Sequence, residues 1–312
     1  MSSRGICYSL DKMKIVVPQD MAFYPDQIER LKSLGETTFY EDIPTPEQWL
    51  ERCEYADIIC TGEVGMETKS YELKNKYFSL PMVGTGWLDL PRLKTGGNSL
   101  SNSPGCNKEA VSEWIIGMMI HLMRNFDKLI KITNTPKEQV FKTSPGLAGK
   151  NITILGKGNI GSTVGKICES LSMNVAYFER GDDLLEKVKD ANVIVSCLRA
   201  EASTKNLLDK NFFNSLKKGS YFITITASSV YDIDAMFEAL DKGILAGAAD
   251  DSAGMPVAET DNPYYLKLVG HPKVVTTPHV AYNTEATARK ANDIMIDNVE
   301  NWIKGQPSNI VI

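Results

Sequence analysis

The sequence has few of the residues that build metal sites and disulfide frameworks. It contains three histidines and six cysteines, and no two cysteines form a CxxC pair. Four of the cysteines lie in or beside apolar runs, where a reduced, buried thiol is the usual state. The pattern excludes a zinc finger and a disulfide scaffold. We therefore expect no bound metal, and a reducing, cytoplasmic compartment.

A basic block and a long apolar segment are also missing. The net charge of −5 is spread along the chain, so we expect no nucleic-acid partner. The longest apolar-rich segment, 114–123, is much shorter than the roughly 20 residues that cross a bilayer, and His121 interrupts it. The N-terminus shows no charged-then-apolar signal pattern. These features predict that the protein has no membrane partner.

The sequence does contain a regular alternation of short β-rich runs and amphipathic helices. Its length of 312 residues suggests two domains. In the first series, strands are predicted at 14–17, 37–40, 56–60 and 81–83, and helices at 26–34 and from Thr45-Pro46-Glu47 onward. Such alternation favours a parallel sheet that helices cover on both faces. Residues 1–12 are predicted to form an extension before the first strand.

A long helix and a second alternating series follow. We predict one helix over 107–132, capped by Asn107, and a connector over 133–149. The second series has predicted strands at 152–155, 174–178, 193–197, 221–225, 246–249 and 274–276, and helices at 159–171, 183–189, 210–216 and 232–241. A last helix is predicted over 284–304, and Gly305-Gln306-Pro307 ends it.

The segment Gly156-Lys157-Gly158-Asn159-Ile160-Gly161 is a glycine-rich turn between a predicted strand and a predicted helix. In this context the first glycine permits a tight turn, the second lets the backbone approach a pyrophosphate, and the third lets the helix pack closely on the strand. The helix N-terminus offers N–H groups and the positive end of a dipole to the phosphates. The motif therefore predicts a bound nicotinamide dinucleotide.

The strand after this helix ends at Glu179, which lies 18 residues beyond Gly161. This is near the spacing expected of a carboxylate that binds the adenosine ribose. Because a carboxylate repels a 2′-phosphate, Glu179 favours NAD over NADP, although the adjacent Arg180 weakens that preference. A surface glutamate in an ordinary strand–helix–strand unit is the alternative. The predicted cofactor contacts are Gly156, Gly158, Asn159, Ile160, Gly161, Glu179, Arg180, Leu198, Thr226 and Asp251.

Five segments together resemble the D-isomer-specific 2-hydroxyacid dehydrogenase superfamily. They are the start of the long helix at 103–113, the stretch 147–161 with the glycine motif, 247–251 (GAADD beside the family's GAALD), Thr277-Pro278-His279 (its TPH motif) and the closing segment 284–307. The resemblance implies an α/β fold with two Rossmann-like, doubly wound parallel-sheet domains. It also implies that a cofactor domain, 104–281, is inserted into a discontinuous, flavodoxin-like substrate domain, 1–103 plus 282–312. The resemblance further implies a homodimer formed through the cofactor domain and the long helix.

Histidine suits proton exchange at a carbonyl near neutral pH. Of the three histidines, His121 lies on the long helix, where a core or interface role is expected, and His271 precedes a proline in a predicted surface turn. His279 follows a predicted strand and belongs to the matching motif. We therefore predict that His279 is the proton donor and acceptor, with a structural loop histidine as the alternative.

The resemblance also implies an arginine that binds the substrate carboxylate and an acid that pairs with the histidine. Ala227 occupies the arginine position, and Pro256, or Met255 with a one-residue shift, occupies the acid position. We therefore predict a divergent member with an incomplete catalytic set. Arg199 and Glu259 are candidate replacements, and exposed side chains without a role are the alternative for both.

The first domain contains two candidate substrate turns. The loop Gly62–Met66 follows a predicted strand, and Val64 and Gly65 are its predicted substrate contacts. Trp87, in the turn that begins at Gly84, is a third. Tight turns alone would explain these glycines equally well.

Three functions remain open from the sequence. The first is hydride transfer between NAD(H) and a small 2-hydroxyacid or 2-ketoacid. The second is a dehydrogenase of the same fold that acts on another substrate class. The third is an NAD(H)-binding sensor or scaffold with little turnover.

Overall fold

The computed structural model describes residues 13–130, 132–137 and 144–312, which divide into two compact units. One unit contains the described residues up to Asn107 together with Thr284–Ile312, and the other is Lys108–Asn283. The extension predicted at 1–12 and the middle of the predicted connector, 138–143, lie outside the described residues.

The first unit is built on five parallel strands. Its elements up to residue 101 are β1 (Lys14–Val17), α1 (Pro25–Leu34), β2 (Glu36–Phe39), α2 (Pro46–Cys53), β3 (Ile58–Cys60), α3 (Met66–Lys69), β4 (Tyr77–Ser79), α4 (Leu90–Thr95) and β5 (Ser99–Ser101). The strands pair in the order β2-β1-β3-β4-β5. The start of α2 is set by Thr45, whose hydroxyl accepts a hydrogen bond from the Gln48 amide.

The second unit is built on six parallel strands. Its elements are α5 (Lys108–Arg124), α6 (Phe126–Ile130), β6 (Asn151–Leu155), α7 (Asn159–Ser170), β7 (Asn174–Phe178), α8 (Leu184–Val188), β8 (Val193–Ser196), α9 (Lys210–Ser215), β9 (Ser220–Thr224), α10 (Ile233–Asp241), β10 (Leu245–Asp250), α11 (Pro263–Val269) and β11 (Val274–Thr276). The strand order is β11-β10-β9-β8-β6-β7. The order reverses between β6 and β8, and in such sheets ligands bind at the carboxyl ends of the strands beside this reversal.

The closing helix α12 (Glu285–Ile303) belongs to the first unit and covers one face of its sheet. Met295, Ile296 and Val299 are buried in a cluster with residues of β1, β3 and β4. The ring of Trp302 stacks on Tyr77 with 4.1 Å between centroids. Apolar burial therefore ties the two ends of the described chain into one unit.

The predicted fold class is confirmed, since both sheets are parallel and helices alternate with the strands. Two predicted elements are wrong. No strand forms at 81–83, because the fourth strand is β4, which ends at Ser79. The single helix predicted over 107–132 breaks at Asn125, whose φ of +53° places it in the left-handed region that asparagine tolerates. The strand β5 and the helices α3, α4 and α11 were not predicted.

Candidate cofactor and active site

The turn between β6 and α7 has a shape that only glycine permits at two positions. Gly156 has a φ of +96°. A Cβ on Gly161 would lie 2.0 Å from the Gly156 carbonyl oxygen, whereas a Cβ on Gly158 would meet no protein atom within 4 Å. No side chain caps α7, which leaves the first amides, those of Asn159 and Ile160, available to a ligand or to water. The turn therefore offers an open cradle for an anion.

Glu179 follows the end of β7 and lies beside this turn. The Nζ atom of Lys157 is 3.9 Å from a carboxylate oxygen of Glu179, and both side chains are exposed. The neighbouring Arg180 forms an ion pair with Glu201 at 3.0 Å. The carboxylate that was predicted to choose the cofactor is thus next to the glycine turn, while a different carboxylate engages Arg180.

Leu198 and Thr226 follow the carboxyl ends of β8 and β9. Thr226 is buried, and its hydroxyl donates to the Ser196 carbonyl at 3.1 Å and lies 2.8 Å from the Ser196 hydroxyl. Leu198 is half-buried and packs against the core of the unit. The Thr226 hydroxyl therefore joins two strand ends, and a cofactor contact from either residue remains a prediction.

His279 lies in the turn after β11 with a φ of +57°, which is uncommon for a residue with a Cβ. Its ring Nδ1 is 2.9 Å from the carbonyl oxygen of Met255. Because a carbonyl can only accept, Nδ1 carries a proton and donates it to this bond. The neutral ring therefore has its lone pair on Nε2.

Asp251 holds the turn that carries His279. One carboxylate oxygen accepts from the Thr277 hydroxyl at 2.5 Å and from the Val280 amide at 3.0 Å, and the other accepts from the Ala281 amide at 2.9 Å. Burial raises the pKa of Asp251, and these three donors act in the opposite direction. The Asp251 carboxylate thus holds the His279 turn, and its contact with the cofactor remains a prediction.

Asp250, the last residue of β10, is fully buried among polar groups that were not predicted. The hydroxyls of Tyr231 and Tyr264 approach one carboxylate oxygen, and the amide of Ser252 donates to the other. Desolvation raises the pKa of Asp250 to about 6. The one signal in the sequence was an acid in an apolar strand, at the position where the GAALD motif has leucine.

The other two histidines have structural surroundings. The ring of His271 stacks on Phe237 with 4.9 Å between centroids and lies 3.5 Å from a carboxylate oxygen of Asp241. His121, on α5, packs edge-on against Phe126 at 6.2 Å. Of the three, only His279 is in a strand-end turn with a carbonyl on one ring nitrogen.

Ala227 and Pro256 are the residues that the resemblance aligns with the family's arginine and acid, and an incomplete catalytic set remains a prediction. Ala227 is half-buried in the turn after β9, and Pro256 is exposed. Within the described part of the chain, no carboxylate forms a hydrogen bond or an ion pair with the His279 ring. The carbonyl of Met255, a backbone group that no sequence motif marks, occupies that place. Of the candidate replacements, Arg199 is exposed, and Glu259 accepts from Asn262 at 3.1 Å.

In the first unit, the predicted substrate turns follow β3 and β4. Val64 is exposed, whereas Gly65 is buried with a φ of +75°, and a Cβ there would lie 2.3 Å from the Trp49 ring. Packing and conformation therefore require this glycine whatever it binds. Trp87 is half-buried, and its indole N–H donates to the Gly84 carbonyl at 3.1 Å.

Three further features concern the described residues only. No described helix is both long and apolar enough to cross a membrane. Within the same residues, no three histidine, cysteine, aspartate or glutamate side chains are grouped so that they could hold a metal ion. None of the described cysteines forms a disulfide, and burial raises the pKa of Cys197, beside the glycine turn, to about 12.

Comparison with known proteins assigns the chain to a family. A family model described as D-isomer specific 2-hydroxyacid dehydrogenase, NAD binding domain, matches residues 116–281, which is more than half of the chain. The chain belongs to this family. The resemblance seen in the sequence is therefore confirmed, and the second unit contains the NAD-binding domain of the family. Members of the family are oxidoreductases that act on CH–OH groups.

Two relatives align with most of this chain. A hydroxypyruvate reductase of Blautia hydrogenotrophica is 24% identical over 96% of this chain and 99% of its own length. A glycerate dehydrogenase of Methylorubrum extorquens is 26% identical over 87% of this chain and 90% of its own length. Among solved structures, an acyclic imino acid reductase in complex with NADPH and D-Arg superposes with a TM-score of 0.80, at 21% identity over 96% of this chain and 100% of that one. This last likeness shows a shared fold.

Proposed function

We propose that the protein is an NAD(H)-dependent oxidoreductase that transfers a hydride between the nicotinamide and a small 2-hydroxyacid or 2-ketoacid. The observation that carries the proposal is the arrangement of His279. A left-handed turn holds this residue, Asp251 anchors the turn, and the Met255 carbonyl fixes Nδ1. Together they leave Nε2 as the nitrogen that can exchange a proton.

In this proposal, His279 moves the proton at the substrate oxygen. In the reducing direction, protonated Nε2 donates its proton to the carbonyl oxygen of the ketoacid. In the oxidising direction, neutral Nε2 accepts the hydroxyl proton. The bond from Nδ1 to the Met255 carbonyl is kept in both directions, so the ring is held in one tautomer throughout. NADH supplies the hydride for reduction, and NAD accepts it during oxidation.

The residues around the glycine turn fit a dinucleotide. The open position at Gly158 and the uncapped N-terminus of α7 suit the pyrophosphate. Glu179 would bind the ribose hydroxyls and repel a 2′-phosphate. Because Glu201 engages Arg180, we expect NAD rather than NADP. Leu198 and Thr226 would lie along the cofactor at the carboxyl ends of β8 and β9.

The substrate is proposed to contact the discontinuous domain, residues 1–103 plus 282–312, while 104–281 binds NAD. Val64 and Gly65 would contribute backbone groups, and Trp87 an apolar wall. Two relatives are named for hydroxypyruvate and glycerate, so short polar 2-ketoacids are the first substrates to test. Arg199 is the candidate cation for the substrate carboxylate, since Ala227 cannot bind it.

The test is NADH oxidation by the purified protein over a panel of 2-ketoacids that includes hydroxypyruvate, glyoxylate, pyruvate and longer members. We expect saturable oxidation of NADH with at least one of them. Tight NADH binding without reduction of any 2-ketoacid would reject the proposal.

Ala227 also favours a second candidate, either a dehydrogenase of the same fold for another substrate class or an NAD(H)-binding sensor or scaffold. Loss of the guanidinium removes bidentate recognition of a carboxylate, whereas the features that suit a cofactor are intact. The double variant Ala227→Arg, Pro256→Glu discriminates between the candidates. If it reduces 2-ketoacids that the parent does not reduce, the second candidate is supported.

A homodimer formed through the second unit is part of the proposal. Residues of α5 bury one face in the core of the unit, and Leu129 and Ile130 of the following α6 are exposed. Exposed apolar side chains beside a long helix suit a two-fold contact with a second copy.

A further inference from the structure

Two consecutive aspartates at the end of β10 lead to His279 by separate routes. Asp251 acts on the turn that carries the histidine, as described above. Among the described residues, the hydrogen bonds of the Asp250 side chain go to other groups, including the amide of Ser252. Ser252 begins the segment 252–255, which supplies the carbonyl partner of the imidazole. The second route has no counterpart in the groups expected from the sequence.

The surroundings of Asp250 commit both of its oxygens. The Tyr231 and Tyr264 hydroxyls donate toward Oδ2, and burial beside this carboxyl raises the pKa of both phenols, so they stay protonated. The Ser252 amide donates to Oδ1. A leucine at this position would have no charge to desolvate, whereas desolvation raises the pKa of Asp250. A leucine could not, however, accept a hydrogen bond from the Ser252 amide.

The Ser252 amide is the start of a chain of hydrogen bonds that ends at the imidazole. Ser252 has a φ of +54°, a conformation that costs about 1–2 kcal/mol for a residue with a Cβ and must be imposed by its contacts. The Ser252 carbonyl accepts from the Met255 amide at 3.2 Å, and the Met255 carbonyl accepts from His279 Nδ1 at 2.9 Å. The Ser252 hydroxyl also lies 2.9 Å from the Thr276 hydroxyl of β11.

We propose that Asp250 is a positioning residue for His279, which acts by holding the Ser252 turn so that the Met255 carbonyl fixes the Nδ1–H tautomer of the imidazole. The Met255 carbonyl thereby orients the imidazole, as a carboxylate partner would. The buried Asp250 carboxylate is two hydrogen bonds away from Met255 and fixes the position of that carbonyl. The catalytic importance of the tautomer rests on the proposed function, whereas the tautomer itself does not.

The direct test measures the tautomer of His279 by NMR. Two-bond proton–nitrogen correlation spectra of ¹⁵N-histidine-labelled protein show which ring nitrogen carries the proton. The chain has three histidines, so the His279 signals are assigned by their loss in His279→Gln. We expect the Nδ1–H form in the parent and in Asp250→Asn, whose amide oxygen can still accept from Ser252. In Asp250→Leu we expect conversion to the Nε2–H form or to a mixture. An unchanged Nδ1–H form in folded Asp250→Leu would overturn the proposal.

Should Asp250→Leu fail to fold, the triple variant Asp250→Leu, Tyr231→Phe, Tyr264→Phe keeps the test decisive, because it also removes the phenol hydroxyls that would otherwise be buried without their acceptor. We expect loss of the Nδ1–H form in the triple variant. The double variant Tyr231→Phe, Tyr264→Phe is its control and should keep that form, because Oδ1 still accepts from the Ser252 amide. An unchanged Nδ1–H form in the folded triple variant would reject the assignment.

The kinetic arm separates this inference from the proposed function. We expect kcat of Asp250→Leu to fall about tenfold with little change in NADH affinity, the effect of one lost hydrogen bond. Rescue in Asp250→Asn, and no further loss when Asp250→Leu is added to His279→Ala, would place both residues on one route. Multiplicative effects of the two changes would show that Asp250 acts elsewhere. Should His279→Ala retain full activity, the proposed role of His279 as proton donor and acceptor fails, and the tautomer result still stands or falls alone.

Discussion

At the scale of single residues, Asp250 makes stability depend on pH. Burial raises its pKa in the folded protein to about 6, above the ordinary value of 3.8. A group whose pKa is raised by folding contributes stability that is complete below the unfolded pKa and is lost as the pH rises through the folded pKa. Each pKa unit corresponds to about 1.36 kcal/mol, so the free energy of unfolding falls by about 3 kcal/mol from about pH 4 to pH 7. Asp250→Asn cannot ionise and avoids this loss.

We therefore expect the free energy of unfolding of Asp250→Asn, relative to that of the parent, to increase from pH 5 to pH 8. Denaturant unfolding of both proteins at these two pH values measures the difference. A difference that is the same at both would mean that Asp250 does not titrate in this range.

Glu179 determines the choice of cofactor in this account. Glu179→Ala should weaken NADH binding by about 1.5–3 kcal/mol, the usual contribution of a hydrogen bond to a charged group. NADPH should lose nothing, because the change also removes a repulsive charge. Titration of both cofactors by fluorescence checks this, with Glu186→Ala, an exposed carboxylate on α8, as the control. Equal losses for NADH and NADPH would rule out the role.

At the scale of elements, the turn between β6 and α7 contains one glycine that packing requires and another that only ligand binding would require. A side chain at Gly161 would collide with the turn, whereas one at Gly158 meets no protein atom. Gly158→Val should therefore leave the melting temperature unchanged and weaken NADH binding at least about tenfold, because the side chain takes the place of a phosphate. Gly146→Val is the matched control, since Gly146 also has open space. Unchanged NADH affinity in Gly158→Val would remove the turn from the binding site.

The elements show what periodicity can predict and where it stops. The strands and helices of the second unit between Asn151 and Asp250 were predicted to within two residues. Four of these five strands are mostly buried apolar runs, and three of the four helices begin at an aspartate cap. The break at Asn125 was missed, since the apolar spacing continues across it. The strand predicted at 81–83 was misplaced because Tyr77–Ser79, a short strand, has a weak pattern of its own.

The sequence predicted those parts of the candidate site that depend on residue type, and it missed those that depend on backbone groups or long-range contacts. The glycine turn, Glu179 and His279 follow from residue types at fixed spacings. The Met255 carbonyl does not, since every residue has a carbonyl and only the fold decides which one meets an imidazole. Asp250 was visible as an acid in an apolar strand, but its partners Tyr231 and Tyr264 come from separate elements. Long-range polar contacts of this kind leave no local signal.

At the scale of the whole molecule, the dimer is testable with two matched isoleucines. Ile130, on α6, is 76% exposed, and Ile43, in the first unit, is 77% exposed. If a second copy covers α6, Ile130→Glu buries a charge at the contact and should yield monomers, whereas Ile43→Glu should not. Sedimentation at micromolar concentration measures the mass. A monomeric parent, or a dimeric Ile130→Glu, would contradict the predicted interface.

The proposed chemistry of the whole molecule depends on His279 as the proton donor and acceptor. Its central measurement is turnover of His279→Ala with the best 2-ketoacid of the panel, alongside NADH affinity, with His271→Ala as the control. General acid–base catalysis contributes about 10²–10⁴-fold in rate, so kcat should fall by that order while NADH affinity stays nearly unchanged. His271→Ala should keep its turnover. A His279→Ala protein that reduces the ketoacid as fast as the parent would contradict the account.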